Sequence, residues 1–149
     1  KQPSQEHVMA GATIIVNLSA SGEMVTADEY RRTAVVAASK RMAAGYIMSG
    51  AGEGESTQDL VFFGHKIIAE NGNLLSQSFD FEEDILCQDM DVFRLMHERV
   101  RKNTFENCDK NDFLTVCKDC FATVRRNRSK LFGIRGQVII KFNDGNFVI

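Results

Sequence analysis

The chain has 149 residues, 44% of them hydrophobic, with a formal charge of −2, 11 glycines and a single proline. That length closes about one hydrophobic core and seldom two, and the composition excludes a collagen-like or disordered chain. The small net charge gives no global basic field for nucleic acid, and no run approaches the roughly 18 apolar residues that a bilayer span needs, so no nucleic acid and no membrane are expected as partners.

Lys1 to His7 is polar and does not read as a signal peptide, and the apolar run after it reads as a short strand. Thr13 to Leu18, TIIVNL, is a β-branched run bounded by Gly11 and by small polar residues, the pattern of a strand buried on both faces. Asp28 is placed to cap a helix from Glu29 through Met42, ending before Gly45, and its many alanines suit close packing. Tyr46 to Ser49 reads as the next strand. Leu60 to His65 and Lys66 to Glu70 are strand-like, and Asn71-Gly72 supplies the positive φ angles of a type I′ turn before Leu74 to Ser76. Asp91 to Lys102 reads as a helix with Val92, Leu95, Met96 and Val100 on one side. Beyond it, Asp112 to Val124 reads as a helix carrying Phe113, Val116, Cys117 and Cys120 on one face, and Val138 to Phe142 with Phe147 to Ile149 as a hairpin closed by Asn143 to Asn146.

The charge balance changes along the chain. Residues 1–105 hold 10 Lys and Arg against 15 Asp and Glu, net −5, whereas residues 106–149 hold 8 against 5, net +3. A boundary near Phe105 follows, with a strand-helix-strand-hairpin α/β unit before it and a tail of different character after it.

Cys87, Cys108, Cys117 and Cys120 are too few and too irregular for a secreted disulfide scaffold, which points to a reducing cytoplasm. Cys117 and Cys120 have C-x2-C spacing, but a tetrahedral metal site needs two further ligands, so buried thiols are expected and no metal. Arg125, Arg126, Arg128 and Lys130 lack interleaved aromatics and read as a solvated face. The glycine-rich run Gly50 to Thr57 lacks the Lys of a Walker A loop, so it is not expected to hold ATP. His65 has the right side chain for a general base, but its place in a strand-like run beside Gly64 makes a hydrogen-bonded structural histidine the expectation; His7 and His97 are expected to be exposed.

NLSAS at Asn17 to Ser21, GEGEST at Gly52 to Thr57, GHKIIAENGNLL at Gly64 to Leu75 and the helix Asp91 to Phe105, taken in this order, resemble the glutaminase (nitrilase-like, carbon-nitrogen hydrolase) domain of glutamine-dependent NAD synthetases. The resemblance runs from about Ala10 to Phe105. It implies the carboxy-terminal half of an α-β-β-α sandwich, residues 1–105 as part of that domain, and residues 106–149 as a connecting or divergent tail. In that family a Glu, a Lys and a Cys hydrolyse glutamine through a thioester. Ammonia then passes to a synthetase domain that uses ATP and magnesium to amidate deamido-NAD.

The resemblance places those three catalytic residues upstream of Lys1, so no catalytic residue is assigned within the chain, and the chain alone is expected to be inactive. Ser21 matches the family serine that helps hold the amino-acid end of glutamine. Ala27 stands where many members carry an Arg or Lys suited to the substrate carboxylate, so another cation is needed. Glu55, Ser56 and Thr57 are expected near the pocket or a subunit contact. The implied partners are glutamine, the synthetase domain and further copies in a homo-oligomer. Two alternatives stand beside this reading, a free-standing amidase or nitrilase of the same superfamily and a non-catalytic structural or subunit-contact module.

Overall fold

The computed structural model describes residues 2–52, 54–79, 85–102, 113–117, 122–125, 141–143 and 146–148. The elements are α1 (Pro3–Met9), β1 (Ile14–Ser19), α2 (Ala27–Met42), β2 (Gly45–Gly50), β3 (Lys66–Glu70), β4 (Asn73–Ser78) and α3 (Val92–Arg101). Two antiparallel pairs follow, β5 (Phe113–Cys117) with β6 (Ala122–Arg125) and β7 (Lys141–Asn143) with β8 (Asn146–Val148). The first four strands form one sheet in the order β1-β2-β3-β4, with β1 and β2 parallel and the other neighbours antiparallel. Consecutive parallel strands need a crossover, and α2 supplies it. The protein is therefore mixed α/β, the class its sequence implies. Among the described residues no helix is long and apolar enough to cross a membrane.

Side chains alternate across the strands and sort the core onto two faces. On one face Val35 of α2 packs with Met48, Ile67 and Ala69, and Met42 and Ala44 pack with Val8 of α1. On the other, Ile47 and Ile68 meet Met90, with Ile14, Val16, Leu75 and Leu86 around them. β1 was expected to be buried on both faces; it feeds both, yet every one of its residues is only half-buried. Its place at the end of the strand order explains this, since an outer strand has a neighbour on one side only.

Asp28 does not cap α2. The capping position is Thr26, left-handed at φ 67° with no side-chain hydrogen bond, and Asp28 lies in the first turn, where a negative charge favours the helix dipole. The helix closes on Ala43, left-handed at φ 45°, rather than on a glycine. Partners from three elements hold this corner. The Ala44 N–H donates to the Ser39 carbonyl at 3.0 Å, the Asn71 N–H donates to the Ala44 carbonyl at 3.2 Å, and Arg99 Nε donates to the Ala43 carbonyl at 3.0 Å. Burial lowers the Arg99 guanidinium to about 10, which leaves it cationic at neutral pH.

Asn71 and Gly72 take φ angles of 45° and 90°, the positive pair that a type I′ turn requires. At Gly72 glycine is needed twice over, because a Cβ there would also lie 2.7 Å from Lys40 Cδ. Its N–H donates to the buried Ser39 hydroxyl at 2.9 Å, and that hydroxyl donates to the Val36 carbonyl at 2.8 Å. The preceding run from Leu60 to His65 is a loop rather than a strand. Local acceptors take its donors: the Phe62 N–H goes to Ser56 Oγ, the Leu60 N–H to Thr57 Oγ1 and the Gly64 N–H to the Ala51 carbonyl.

Asp91 caps α3 by accepting from the Arg94 N–H at 2.8 Å, while its own N–H donates to Glu70 Oε2 at 2.9 Å. Leu95 is fully buried, but Val100 is 82% exposed, so the apolar side of this helix is shorter than its sequence suggests. The expected helix from Asp112 to Val124 is replaced by β5 and β6, in keeping with the aromatic and β-branched residues there. The hairpin expected near the end is present as β7 and β8. The polar opening forms the short helix α1 with Pro3 in its first turn. Cys108, Cys120 and the boundary at Phe105 lie outside the described residues, as do Arg126, Arg128 and Lys130.

Ser39→Ala leaves the Gly72 N–H without its acceptor in a buried site. It should lower the unfolding free energy in urea by about 1–3 kcal/mol with an unchanged m-value.

Candidate functional site

β1 and β2 run in the same direction, so their carboxy ends open on one side, and the chain enters α2 from there. Ser19 stands opposite Gly50 at the end of the shared register, and the Ala51 N–H donates to the Ser19 carbonyl at 2.8 Å. The Gly50 N–H donates to the His65 carbonyl at 2.8 Å, and a Cβ on Gly50 would lie 3.1 Å from that oxygen. A side chain there would press on this backbone, so glycine suits the close approach of the loop before β3. Ser21 follows β1 as an exposed residue, with Ser19 Oγ donating to its Oγ at 3.3 Å.

Arg31, on α2, joins the two sides of the opening. Its Nη2 pairs with Glu23 Oε2 at 2.5 Å and its Nε donates to His65 Nδ1 at 3.2 Å. The ion pair is largely withdrawn from water, with 10% of the Arg31 side chain and 24% of that of Glu23 exposed. His65 is 2% exposed, and its ring stacks on Phe79 with centroids 4.5 Å apart. Accepting at Nδ1 requires the neutral ring with its proton on Nε2, an atom that is buried without a hydrogen-bond partner. Burial, then the Arg31 charge, lower its pKa against smaller opposing effects of Asp28 and Glu23. It is a hydrogen-bonded histidine, as its sequence context implies.

A cavity of about 530 Å³, bordered by Asn17, Ser19, Ser21, Arg31, Tyr46 and Met48, lies on the α2 face of the sheet. That volume falls within the range of small-molecule sites, roughly 300–1,000 Å³. Beside it a space of about 10 Å³, the size of one water, touches Ser21, Glu23, Arg31, Gly50 and His65. Another groove, of about 560 Å³, passes Arg32, Thr33, Lys40 and Leu74 but brings no comparable set of polar groups together.

Ala27 is the first residue of α2 and adds no charge; one turn later Arg31 puts a cation in the wall of the cavity. Neither Arg31 nor Glu23 stands out in the sequence. The signal that could have found Arg31 is its one-turn spacing from Ala27, which keeps both on one helix face; Glu23, in the loop before α2, carries no such signal. Glu55, Ser56 and Thr57 are exposed and border neither space; the two hydroxyls tie up their own loop. Cys87 is exposed on the segment that covers the opposite face of the sheet. Cys117 lies in β5, not on a helix, and among the described residues no three His, Cys, Asp or Glu side chains could hold a metal together. His97 is exposed as expected, whereas His7 is half-buried.

Fold and pocket thus define a mixed α/β protein with a largely apolar cavity between α2 and a parallel strand pair, into which Ser19, Ser21 and Arg31 bring polar groups. Over 107 residues, 70% of its length, the chain is 42% identical to the glutamine-dependent NAD(+) synthetases of Mycobacterium bovis and Mycobacterium tuberculosis. It is 43% identical over 107 residues to that of Mycobacterium leprae. The chain spans 16% of the length of each of these homologues. No protein-family model matches it.

Because the folded-state pKa of His65 is lowered, the unfolded chain binds this proton more readily than the folded one. The associated stability is present above about pH 6.5, the unfolded value, and is lost as pH falls through the folded value. Urea midpoints measured from pH 7.5 to 5 should decline in the unmodified protein, and His65→Gln, which can still accept from Arg31, should flatten the decline.

Proposed function

We propose that this chain forms one wall of the glutamine pocket of a glutamine-dependent NAD synthetase. The observation that carries the reading is Ser21, set at the carboxy end of β1 beside Arg31 and the 530 Å³ cavity. In the whole protein the glutaminase domain hydrolyses glutamine, and the released ammonia amidates deamido-NAD in a synthetase domain. ATP and magnesium serve that second domain. Residues 1–105 contribute part of a nitrilase-like sandwich, and residues 106–149 form the connection beyond it.

The role of Ser21 is to hold the amino-acid end of glutamine. A small hydroxyl both donates and accepts, and Ser19 already supplies it with one donor, so its own proton remains available for substrate. The family's Glu, Lys and Cys act from elsewhere in the whole protein. Cys87 is poorly placed to replace that nucleophile, since its segment lies on the far face of the sheet from Ser21 and Arg31. The 149-residue chain by itself therefore has no glutaminase activity. Glutamate release by the purified chain, abolished by Cys87→Ala, would contradict this.

In the full-length protein, Ser21→Ala should lower kcat/KM for glutamine by the equivalent of about 1–3 kcal/mol, one polar contact, and spare NAD synthesis from free ammonia. Equal loss with both nitrogen sources would instead mean that Ser21 holds the fold.

A further inference from the structure

Arg31 carries five N–H donors, of which Nε goes to His65 and one on Nη2 goes to Glu23. The remaining three, two on Nη1 and one on Nη2, have no acceptor among the described residues, although only 10% of the side chain is exposed. The buried side-chain atoms without a partner among the described residues do not include Nη1 of Arg31, so these donors stay open to solvent, and a ligand entering there can supply their acceptors. Glu23 has a similar surplus: one of its oxygens meets Arg31, and a carboxylate offers about four acceptor positions. Both residues border the small polar space beside Ser21, and Arg31 and Ser21 also border the larger cavity.

We propose that Glu23 and Arg31 together recognise the zwitterionic head of the amino-acid substrate, Arg31 gripping the α-carboxylate and Glu23 accepting from the α-ammonium. The inference rests on the glutamine reading given above and adds two specificity-determining residues to it. The planar fork of a guanidinium matches a carboxylate through two parallel hydrogen bonds, and an ammonium with three donors matches the oxygens of Glu23. The two charges already balance each other. A zwitterion preserves that balance, whereas a ligand carrying only a carboxylate or only an ammonium leaves one partner unmatched in a partly dry pocket. Ser21, carrying no charge, is suited to bridge the two halves of the head.

His65 acts as a positioning residue. It accepts from Arg31 Nε and so fixes the plane of the guanidinium, and the stack on Phe79 fixes the ring in turn. Neither its Nδ1 nor its ring is required to touch substrate.

The test uses the full-length protein, with NAD formation from L-glutamine or from free ammonia and amide hydrolysis of L-glutamine or glutaric acid monoamide, which keeps the carboxylate and lacks the amino group. Arg31→Gln should raise KM for glutamine by about 10- to 100-fold, with Arg31→Lys intermediate, and leave ammonia-supported synthesis within about twofold. Glu23→Gln should reduce the preference for glutamine over the monoamide by about 10-fold, because Arg31 is then released to an anion alone. A KM for glutamine within about twofold of the unmodified protein in Arg31→Gln, or an unchanged preference in Glu23→Gln, overturns the inference and leaves the glutamine reading standing. Equal losses with glutamine and ammonia in Arg31→Gln and Arg31→Lys overturn it as well, since the pair would then be holding the fold. If the unmodified protein forms NAD from ammonia and not from glutamine, both readings fall together.

Discussion

The tight corner between α2 and β2 is the constraint on which the rest of the structure depends. The chain must leave a helix and join a sheet within three residues, and it does so through Ala43 in a left-handed conformation, Ala44 and Gly45, with both alanines fully buried. An alanine in that conformation costs roughly 1 kcal/mol or more relative to ordinary helical backbone. Surrounding contacts offset it. The Gly45 N–H donates to the Thr13 carbonyl and ties the corner to the start of β1, while Asn71, Gly72 and Arg99 add hydrogen bonds from the hairpin and from α3. Four separate segments of chain thus meet at one reversal, and none of their positions is independent of the others.

From that corner the site follows by geometry. Fixing β2 against β1 in parallel sets Ser19 opposite Gly50, and the absence of a Cβ on Gly50 lets the His65 backbone approach the same strand end. The start of α2 must then lie beside the carboxy ends of both strands. Open α/β sheets place ligand-binding groups at such ends because loops, not the sheet, face outward there. Here the groups that converge are hydroxyls, one ion pair and one neutral imidazole.

The electrostatics of the opening are internally consistent. A neutral His65 is what a buried ring next to a guanidinium should be, and only the neutral ring can accept the hydrogen bond that Arg31 offers. The balancing charge on Arg31 comes from Glu23, which lies in the loop between β1 and α2. Loop, helix and strand end are therefore linked through one arginine. Arg99, partly buried, instead donates from its Nε to the Ala43 carbonyl at the opposite end of α2.

What the sequence determined by itself was local. Asn71-Gly72 encodes its turn because such residues tolerate two positive φ angles, Asp91 encodes its cap, and the short apolar runs of β2 and β3 encode strands; the NLSAS, GEGEST and GHKII runs pointed to the same homologues that sequence comparison identifies. The sequence could not show that Leu60 to His65 spends its donors on Ser56, Thr57 and Ala51 instead of a ladder, nor that Phe113–Cys117 pairs with Ala122–Arg125 as strands. Short apolar runs satisfy helix and strand periods about equally, so pairing partners decide them. Nor could it bring Glu23, Arg31 and His65 together, since Arg31 and His65 lie 34 positions apart and meet only because the crossover lays α2 over the sheet. Local propensity acts through neighbours in sequence, whereas a desolvated ion pair exists only once the fold has excluded water from around it.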